Sequence, residues 1–582
     1  MGRTSVVRFS RKEWLVDMGT LSRIDSRLLP PIPFSTRLKM NIRNYNIYFN
    51  THTISGIIIC ALLYVIFFAG SFSFFKHEMR AWQHGVSYEA NKEIGKDFDF
   101  LLDSLRQTHN LQGRDITFYL QPNSLGASVN MGVSKDTTVS KPQQSPPEGQ
   151  RRGRRGSGDA TFFYYDFHKE KASTYAESYD MGEFLYRLHF LAQLNQVPIR
   201  IGYPFGYVLA GLVSFLFLFA LITGLLLHWD KIVSNFFIFR PWSKWKTVWT
   251  DMHTALGVIG FPFQFIFALT GIILIVNWVL VKPLSNYLYD GKQEALYQDL
   301  GFSDGTTYDY LYKPIGQDFS MQSYLTELEQ KWEGAEFSRI FIKNYGDESM
   351  HLIVHAKPNP KLNFSGEGKA IYRIHDRALI YDKDPHTASS YKDKVSSIIY
   401  HLHFGDFGGY PVKITFFILG IMGCIVIISG ILIWLVARDK KNIPKHKRVF
   451  NFWASNVFVA ICLTMLPVTA LTFIAVKVYP EVNQDFIYSM YFYSWLALSV
   501  FYIIRRNLRA TNKETLLLGA ILGLCIPIVN GIYSGNWVWN TFARGETDIL
   551  FFDLLWVAIA VVAIIAFVKI QRDGNHQKSG NR

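Results

Sequence analysis

Eight stretches of this chain stay apolar for long enough to cross roughly 30 Å of hydrocarbon, at approximately 53–75, 203–228, 254–281, 411–437, 450–477, 485–504, 515–534 and 549–569. Lipid offers no water to hydrogen-bond an exposed backbone, so stretches of this kind are confined to helices. A hydrophobic content of 49% with 47 Phe in 582 residues is hard to fit inside soluble cores. The last four stretches are closely spaced, whereas the first four enclose two long polar insertions at roughly 76–200 and 282–410. The fold class read from this pattern is an α-helical polytopic membrane protein with about eight transmembrane helices and two α+β insertions.

Short loops rich in Lys and Arg stay on the cytoplasmic side. Arg8, Arg11, Lys12, Arg37, Lys39 and Arg43 precede the first span; Lys244 and Lys246, Arg438 through Arg448, then Arg505, Arg506, Arg509 and Lys513, and finally Lys569 and Arg572 follow later ones. All fall on one side of an eight-span count. The expected location is therefore a bacterial inner membrane, with both termini cytoplasmic and both insertions periplasmic. The net charge of +14 then records topology and proximity to anionic membrane lipid, and no nucleic-acid partner is needed to explain it. The first apolar run is too long and begins too late for a cleavable signal.

Histidines stand at the mouths of these spans, and four of them recur in two local contexts. The sequence reads Thr51-His52-Thr53-Ile54-Ser55-Gly56 before one apolar run and Met252-His253-Thr254-Ala255-Leu256-Gly257 before another; it reads Arg187-Leu188-His189-Phe190 and His401-Leu402-His403-Phe404 before two more. Ionisable side chains at membrane depth are costly and mark functional paths. Neutral imidazole is a haem-iron ligand, and duplicated histidines on facing helices are what a bis-histidine haem site requires. The competing account is that a histidine at a helix end is an interfacial amphipath, which is the better reading for His77, His84 and His446 taken singly. Cys60, Cys424, Cys462 and Cys525 all lie within expected spans, which leaves neither an outer disulfide framework nor a C-x-x-C-H attachment site. Any haem is then non-covalent.

The insertions repeat as well. Each opens with an amphipathic stretch, Asp97 to Arg106 and Asp318 to Trp332, and continues into alternating strands, Asp115 to Leu120 and Ser338 to Lys343. Further strands are expected at about 126–132 and 160–167 in the first and at about 350–356, 369–374 and 378–382 in the second. Residues 133–159, with Pro142, Pro146, Pro147 and the run Arg151-Arg152-Gly153-Arg154-Arg155, are expected to be a disordered hairpin tip. The organisation read from sequence is a cytoplasmic segment 1–45, a first repeat 46–228, a second repeat 229–440 and an additional four-helix membrane region 441–582.

The His-Thr-x-x-Gly openings, the Leu402-His403-Phe404-Gly405-Asp406-Phe407-Gly408-Gly409 stretch, and the steps Thr223-Gly224 and Ser429-Gly430 resemble the PepSY-associated transmembrane helix family over roughly residues 45–440. That resemblance implies PepSY-like insertions, b-type haems between four helices, and ferric-siderophore reduction for iron uptake. Under a pseudo-twofold four-helix core His52 would meet His253 near the cytoplasmic face and His189 would meet His403 near the outer face, predicting two stacked haem b groups. His228, whose counterpart in the second repeat is Trp434, is open as a replacement ligand, a propionate partner or a helix cap; His401 is a spare candidate. Tyr203, Tyr400, Phe404 and Tyr410 are candidates for chelate docking or interface packing. His351 and His355 share a strand face but stand roughly 13 Å apart, too far for one metal ion.

No G-x-G-x-x-G follows a strand and no P-loop is present, so electrons would come from membrane quinol or a separate cytoplasmic reductase. The partners expected are a ferric siderophore, membrane lipid, that electron donor, and an outer-membrane siderophore uptake system. Two other readings stand beside a ferric-siderophore reductase. One is a non-redox PepSY-type protein that binds peptides or regulates proteases; the other is a siderophore or iron permease using the last four helices, which read as lacking a buried carboxylate pair.

Overall fold

The computed structural model describes residues 41–579 except 92–95, 122, 139–160, 200–202, 233–236, 238–239, 241–242, 244, 300–305, 360–362 and 388. Most of the expected disordered tip, including its arginine run, lies outside the described residues. Residues 41–47 belong to a separate small unit and are the start of a helix; Tyr48–Arg582 forms the main unit.

Helix α1 (Ile42–Ser73) leads through α2 (Lys76–His84) and the single turn α3 (Tyr88–Asn91) to the first insertion. There α4 (Phe98–Thr108) precedes strands β1 (Ile116–Leu120), β2 (Gly126–Met131), β3 (Thr161–Asp166) and β4 (Lys171–Ser173), and α5 (Met181–His189) returns the chain to α6 (Phe205–Leu227). The second repeat runs through α7 (Trp245–Leu288), α8 (Gln293–Asp299), α9 (Met321–Lys331), β5 (Glu336–Lys343), β6 (His351–Lys357), β7 (Gly368–Arg373), β8 (Ala378–Lys383), α10 (Tyr391–Phe404) and α11 (Gly409–Arg438). The remainder is helical: α12 (Lys445–Leu463), α13 (Met465–Val478), α14 (Gln484–Arg505), α15 (Leu508–Ser534), α16 (Val538–Ala543) and α17 (Thr547–Ser579).

Among the described residues, eight helical segments are long and apolar enough to span a membrane, with α12 and α13 counting as one. Two details differ from the sequence reading. The first span begins at Ile42, because the polar turns around Arg43 and Asn44 continue the helix beyond its apolar part. The fifth is broken at Thr464: Pro467 has no N–H for the Leu463 carbonyl, and the Thr464 hydroxyl donates to the Ala460 carbonyl at 2.7 Å.

The two insertions share one sheet. Its eight strands run β4-β3-β2-β1-β5-β6-β7-β8, antiparallel throughout. The seam is the β1–β5 pair, with Ile116 opposite Ile342 and Phe118 opposite Ile340; all four side chains are fully buried. Unpaired, β1 and β5 would each present a row of free N–H and C=O groups, and pairing them removes both edges. Helices α4 and α9 cover one face with Leu101, Leu105, Leu325 and Leu328 in the same core. Both start on a capping side chain, Asp97 accepting from the Phe100 N–H at 2.9 Å and Ser320 from the Ser323 N–H at 3.2 Å, as helix N-termini prefer. The sequence separated these insertions because alternation within a strand does not name the strand's neighbour.

The last four spans are pinned to α2 and α3 by buried polar contacts. The indole of Trp82 donates to Asp553 at 2.7 Å, Asn530 donates to the same carboxylate at 2.9 Å, and the Lys477 ammonium donates to the Trp82 carbonyl. Asp548 accepts from the Ser87 hydroxyl at 2.5 Å and the Tyr88 N–H at 2.8 Å. Both carboxylates are buried, which corrects the reading that this region has no such pair. They sit in the first turns of α17, and their partners make them anchors between segments.

Phe118→Ala removes a ring at the seam, a loss of about 3–5 kcal/mol for a core aromatic. If the sheet unfolds as one cooperative unit, hydrogen exchange followed by mass spectrometry rises in β6 as well as in β1 and β2. Two independent domains would confine the rise to β1–β4.

Candidate functional site

Four of the histidines are brought together two by two. Toward the end of the bundle remote from the sheet, His52 in α1 places Nδ1 2.9 Å from the Ala220 carbonyl of α6. His253 in α7 places Nδ1 2.9 Å from the Val426 carbonyl of α11. A carbonyl only accepts, so each Nδ1 carries the hydrogen and each Nε2 keeps its lone pair. The ring centroids are 6.0 Å apart at 73°. A glycine makes room for each ring: a Cβ on Gly224 would lie 3.0 Å from Cε1 of His52, and one on Gly430 would lie 3.1 Å from Cε1 of His253. Beside them the Thr223 and Ser429 hydroxyls donate to the same Ala220 and Val426 carbonyls at 3.1 and 3.0 Å.

Toward the sheet the second pair forms from helix ends. Helix α5 is capped by Asp180, which accepts from the Glu183 N–H at 2.7 Å, and ends on His189. Helix α10 is held by a reciprocal Ser390–Asp393 capping box and stops at Gly405, whose φ of 62° turns the chain toward α11. His189 donates from Nδ1 to the Ile66 carbonyl of α1 at 2.8 Å. His403 has Nδ1 2.8 Å from the Thr270 hydroxyl of α7, which itself donates to the Ile266 carbonyl at 2.6 Å and so accepts from the ring. These centroids are 5.9 Å apart at 44°. A Cβ on Gly70 would lie 2.4 Å from Nδ1 of His189, and one on Gly271 would lie 3.7 Å from Cε1 of His403.

The spacing has a chemical meaning. With a metal–imidazole bond of about 2 Å on each side and about 1 Å from each nitrogen to its ring centre, two imidazoles that shared one metal ion would have centroids up to about 6 Å apart. Among the described residues no group of three or more His, Cys, Asp or Glu could hold a metal ion; a group that brings its own further coordination positions, as a haem does, would need only two imidazoles from the protein. A backbone or hydroxyl acceptor on the second ring nitrogen is the support that fixes a ligating imidazole. The residues present fit two bis-imidazole haem sites.

Burial lowers the pKa of His403 to about 3, with His189 adding to the effect. Burial also lowers that of His189, against the opposing hydrogen bond to Ile66. The His403 ring is thus neutral across the physiological range, and that of His189 is shifted the same way.

The other candidate histidines are not part of these ring pairs. His228 caps the C-terminus of α6 and is close enough to His253 to act on it electrostatically, while His52 is the ring paired with His253. His401 turns outward: Nδ1 is 2.5 Å from Asp406, and its ring packs on Phe364 at 4.7 Å. Of the aromatics, Tyr410 stacks on Phe551 at 4.4 Å, whereas Tyr203, Tyr400 and Phe404 are exposed. His351 stacks on Tyr308 and His355 bonds Glu367 at 3.0 Å, each occupied within the sheet domain.

The model of the family described as the PepSY-associated TM region matches residues 49–437. The chain belongs to the PepSY-associated transmembrane family. The match takes in both histidine pairs and the whole fused sheet and stops before α12. No curated protein matches the chain. Within the PepSY-associated region, sequence reasoning missed Gly70, Gly271, Thr270 and the carbonyl acceptors. A signal for the glycines was present, since Gly70 and Gly271 each follow their repeat's first histidine by 18 residues.

Histidine-selective 15N NMR of metal-free protein checks the protonation state. All four paired rings are expected as the Nδ1–H tautomer, and lowering the pH from 8 to 5 leaves His403 neutral although an unperturbed imidazole titrates near 6.5. Protonation of His403 in that interval contradicts the geometry described.

Proposed function

We propose that this protein carries electrons outward across the bacterial inner membrane through two b-type haems and reduces a periplasmic ferric siderophore, releasing Fe(II) for uptake. The observation that carries the reading is the pair of histidine contacts at 6.0 and 5.9 Å, each ring fixed through Nδ1 with Nε2 left for a metal. His52 and His253 would hold one haem, His189 and His403 the other. When bound, haem b supplies iron that exchanges one electron between its ferric and ferrous states.

The chain's own contribution is orientation and exclusion. Ala220, Val426 and Ile66 carbonyls and the Thr270 hydroxyl keep each imidazole in the ligating tautomer. The glycines at 70, 224 and 430 leave room for the rings, and the apolar helices around them keep water out. A ferric chelate that accepts one electron becomes Fe(II), a softer and more weakly held ion, so release follows from reduction without further chemistry on the protein. Electrons enter from quinol or from a separate cytoplasmic reductase, in keeping with the Lys/Arg-rich loops at the opposite end from the sheet. Membrane lipid is the solvent for the spans, and an outer-membrane uptake system supplies the chelate.

Purified protein should be coloured, with a low-spin spectrum that changes on dithionite and a pyridine haemochrome giving about two haems per chain. His189→Ala or His403→Ala should remove low-spin character from one haem, and His52→Ala or His253→Ala from the other. His446→Ala should leave both unchanged. Colourless protein from haem-replete cells rejects the reading.

The acceptor is tested separately. Protein reduced beforehand should be reoxidised by ferric hydroxamate, catecholate or citrate-type chelates, with Fe(II) trapped by ferrozine. Intact haem spectra with no reoxidation by any of the three would assign the electrons to another acceptor.

A further inference from the structure

The two repeats match closely at the histidines and differ between them. The offset that carries His52 onto His253 and Gly70 onto Gly271 carries Phe67 onto Ala268. The offset that carries Ala220 onto Val426 and Gly224 onto Gly430 carries Phe217 onto Gly423. Where the first repeat has two phenylalanines, the second has two of the smallest residues. The consequence is visible in the packing: the Phe67 ring lies against the α11 backbone, with Cδ1 2.5 Å from where a Cβ on Gly423 would be, and meets the Phe217 ring edge-on at a centroid distance of 5.3 Å. Phe67 is buried and Phe217 packs against the same core.

These rings join the two sites by a short path. Phe67 follows Ile66, whose carbonyl accepts from His189. Phe217 lies one helical turn before Ala220, whose carbonyl accepts from His52. From His189 to His52 the path is a hydrogen bond, a peptide link, one ring contact, one helical turn and a second hydrogen bond. Electron tunnelling weakens steeply across gaps and less steeply through bonded and closely packed atoms, so a continuous path of this kind carries current that a void would not.

Resting on the two-haem reading, we infer that the Phe67–Phe217 contact is the route by which an electron passes between the inner and outer histidine pairs, and that these two phenylalanines are positioning residues for that transfer. One electron leaves the inner site, which is oxidised, and arrives at the outer site, which is reduced; no bond forms or breaks in the rings, and no proton moves. The second repeat has no equivalent ring contact because Ala268 and Gly423 leave none to make, so the route lies to one side of the pseudo-twofold axis.

The test uses the full chain with its haems in vesicles of phosphatidylethanolamine and phosphatidylglycerol, loaded with ferricyanide and given external dithionite. Each electron that crosses converts one ferricyanide to ferrocyanide, and haem content, low-spin spectrum and melting temperature are recorded on the same preparations. Phe67→Leu and Phe217→Leu keep an apolar side chain of similar size. They are expected to retain both haem spectra while slowing transfer by at least about tenfold, within the roughly 10²-fold that a misplacement of about 1 Å can cost a reaction. Phe217→Tyr, which keeps the ring, is expected to restore the rate. An unchanged rate in both leucine variants with both haems present overturns the inference, and so does loss of a haem from both, which would make the rings packing for the sites. Wild-type protein that carries no haem fails the two-haem reading itself, before any rate is measured.

Discussion

A buried imidazole must satisfy a nitrogen it cannot hand to water, and in this molecule that requirement organises the four-helix core. Each of three histidines donates from Nδ1 to a main-chain carbonyl of a different helix, and the fourth does so to a hydroxyl that is already donating elsewhere. An unmet buried donor costs on the order of 1–3 kcal/mol, so each bond ties two segments together as firmly as a core side chain. The same bonds decide which nitrogen is left for a metal. Helix placement and ligand chemistry are one constraint here. Gly70, Gly224 and Gly430 follow from it, because at those positions a Cβ would crowd the ring.

The repeat is obeyed where that constraint operates and relaxed where it does not. At the inner pair His52, Gly224 and Thr223 correspond one for one with His253, Gly430 and Ser429, down to matching hydrogen-bond distances. At the pair nearer the sheet Thr270 stands where Ala69 does, and His403 bonds that hydroxyl where His189 bonds a main-chain carbonyl directly. Between the pairs the correspondence is abandoned.

Much of this was legible in the chain. The eight spans, the seven expected strands and the histidine matches are all carried by local pattern, since apolar length, alternation and repeated context each sit within a few residues. What was not legible depends on neighbours distant in sequence. The short strand β4 is three residues long, too short for alternation to register. The β1–β5 seam needs a partner more than 200 positions away, and no periodicity encodes that. Asp553 reads as the polar edge of a span, and only Trp82 and Asn530 arriving from elsewhere make it a buried anchor. Gly70 and Gly271 carried a signal in their equal distance from His52 and His253, but a glycine in a membrane helix has many uses, and the ring it accommodates comes from another segment.

The fused sheet makes the two repeats behave as a tethered dimer. Each half completes the other's sheet edge and supplies half of each histidine pair, so neither half is a finished protein, and the linker between them holds two complementary surfaces at high effective concentration. Such a pair is free to specialise: once the halves cannot part or find the wrong partner, a residue in one need no longer suit the same position in the other. An assembly of two identical chains could never place a phenylalanine opposite a glycine on one side of its axis alone.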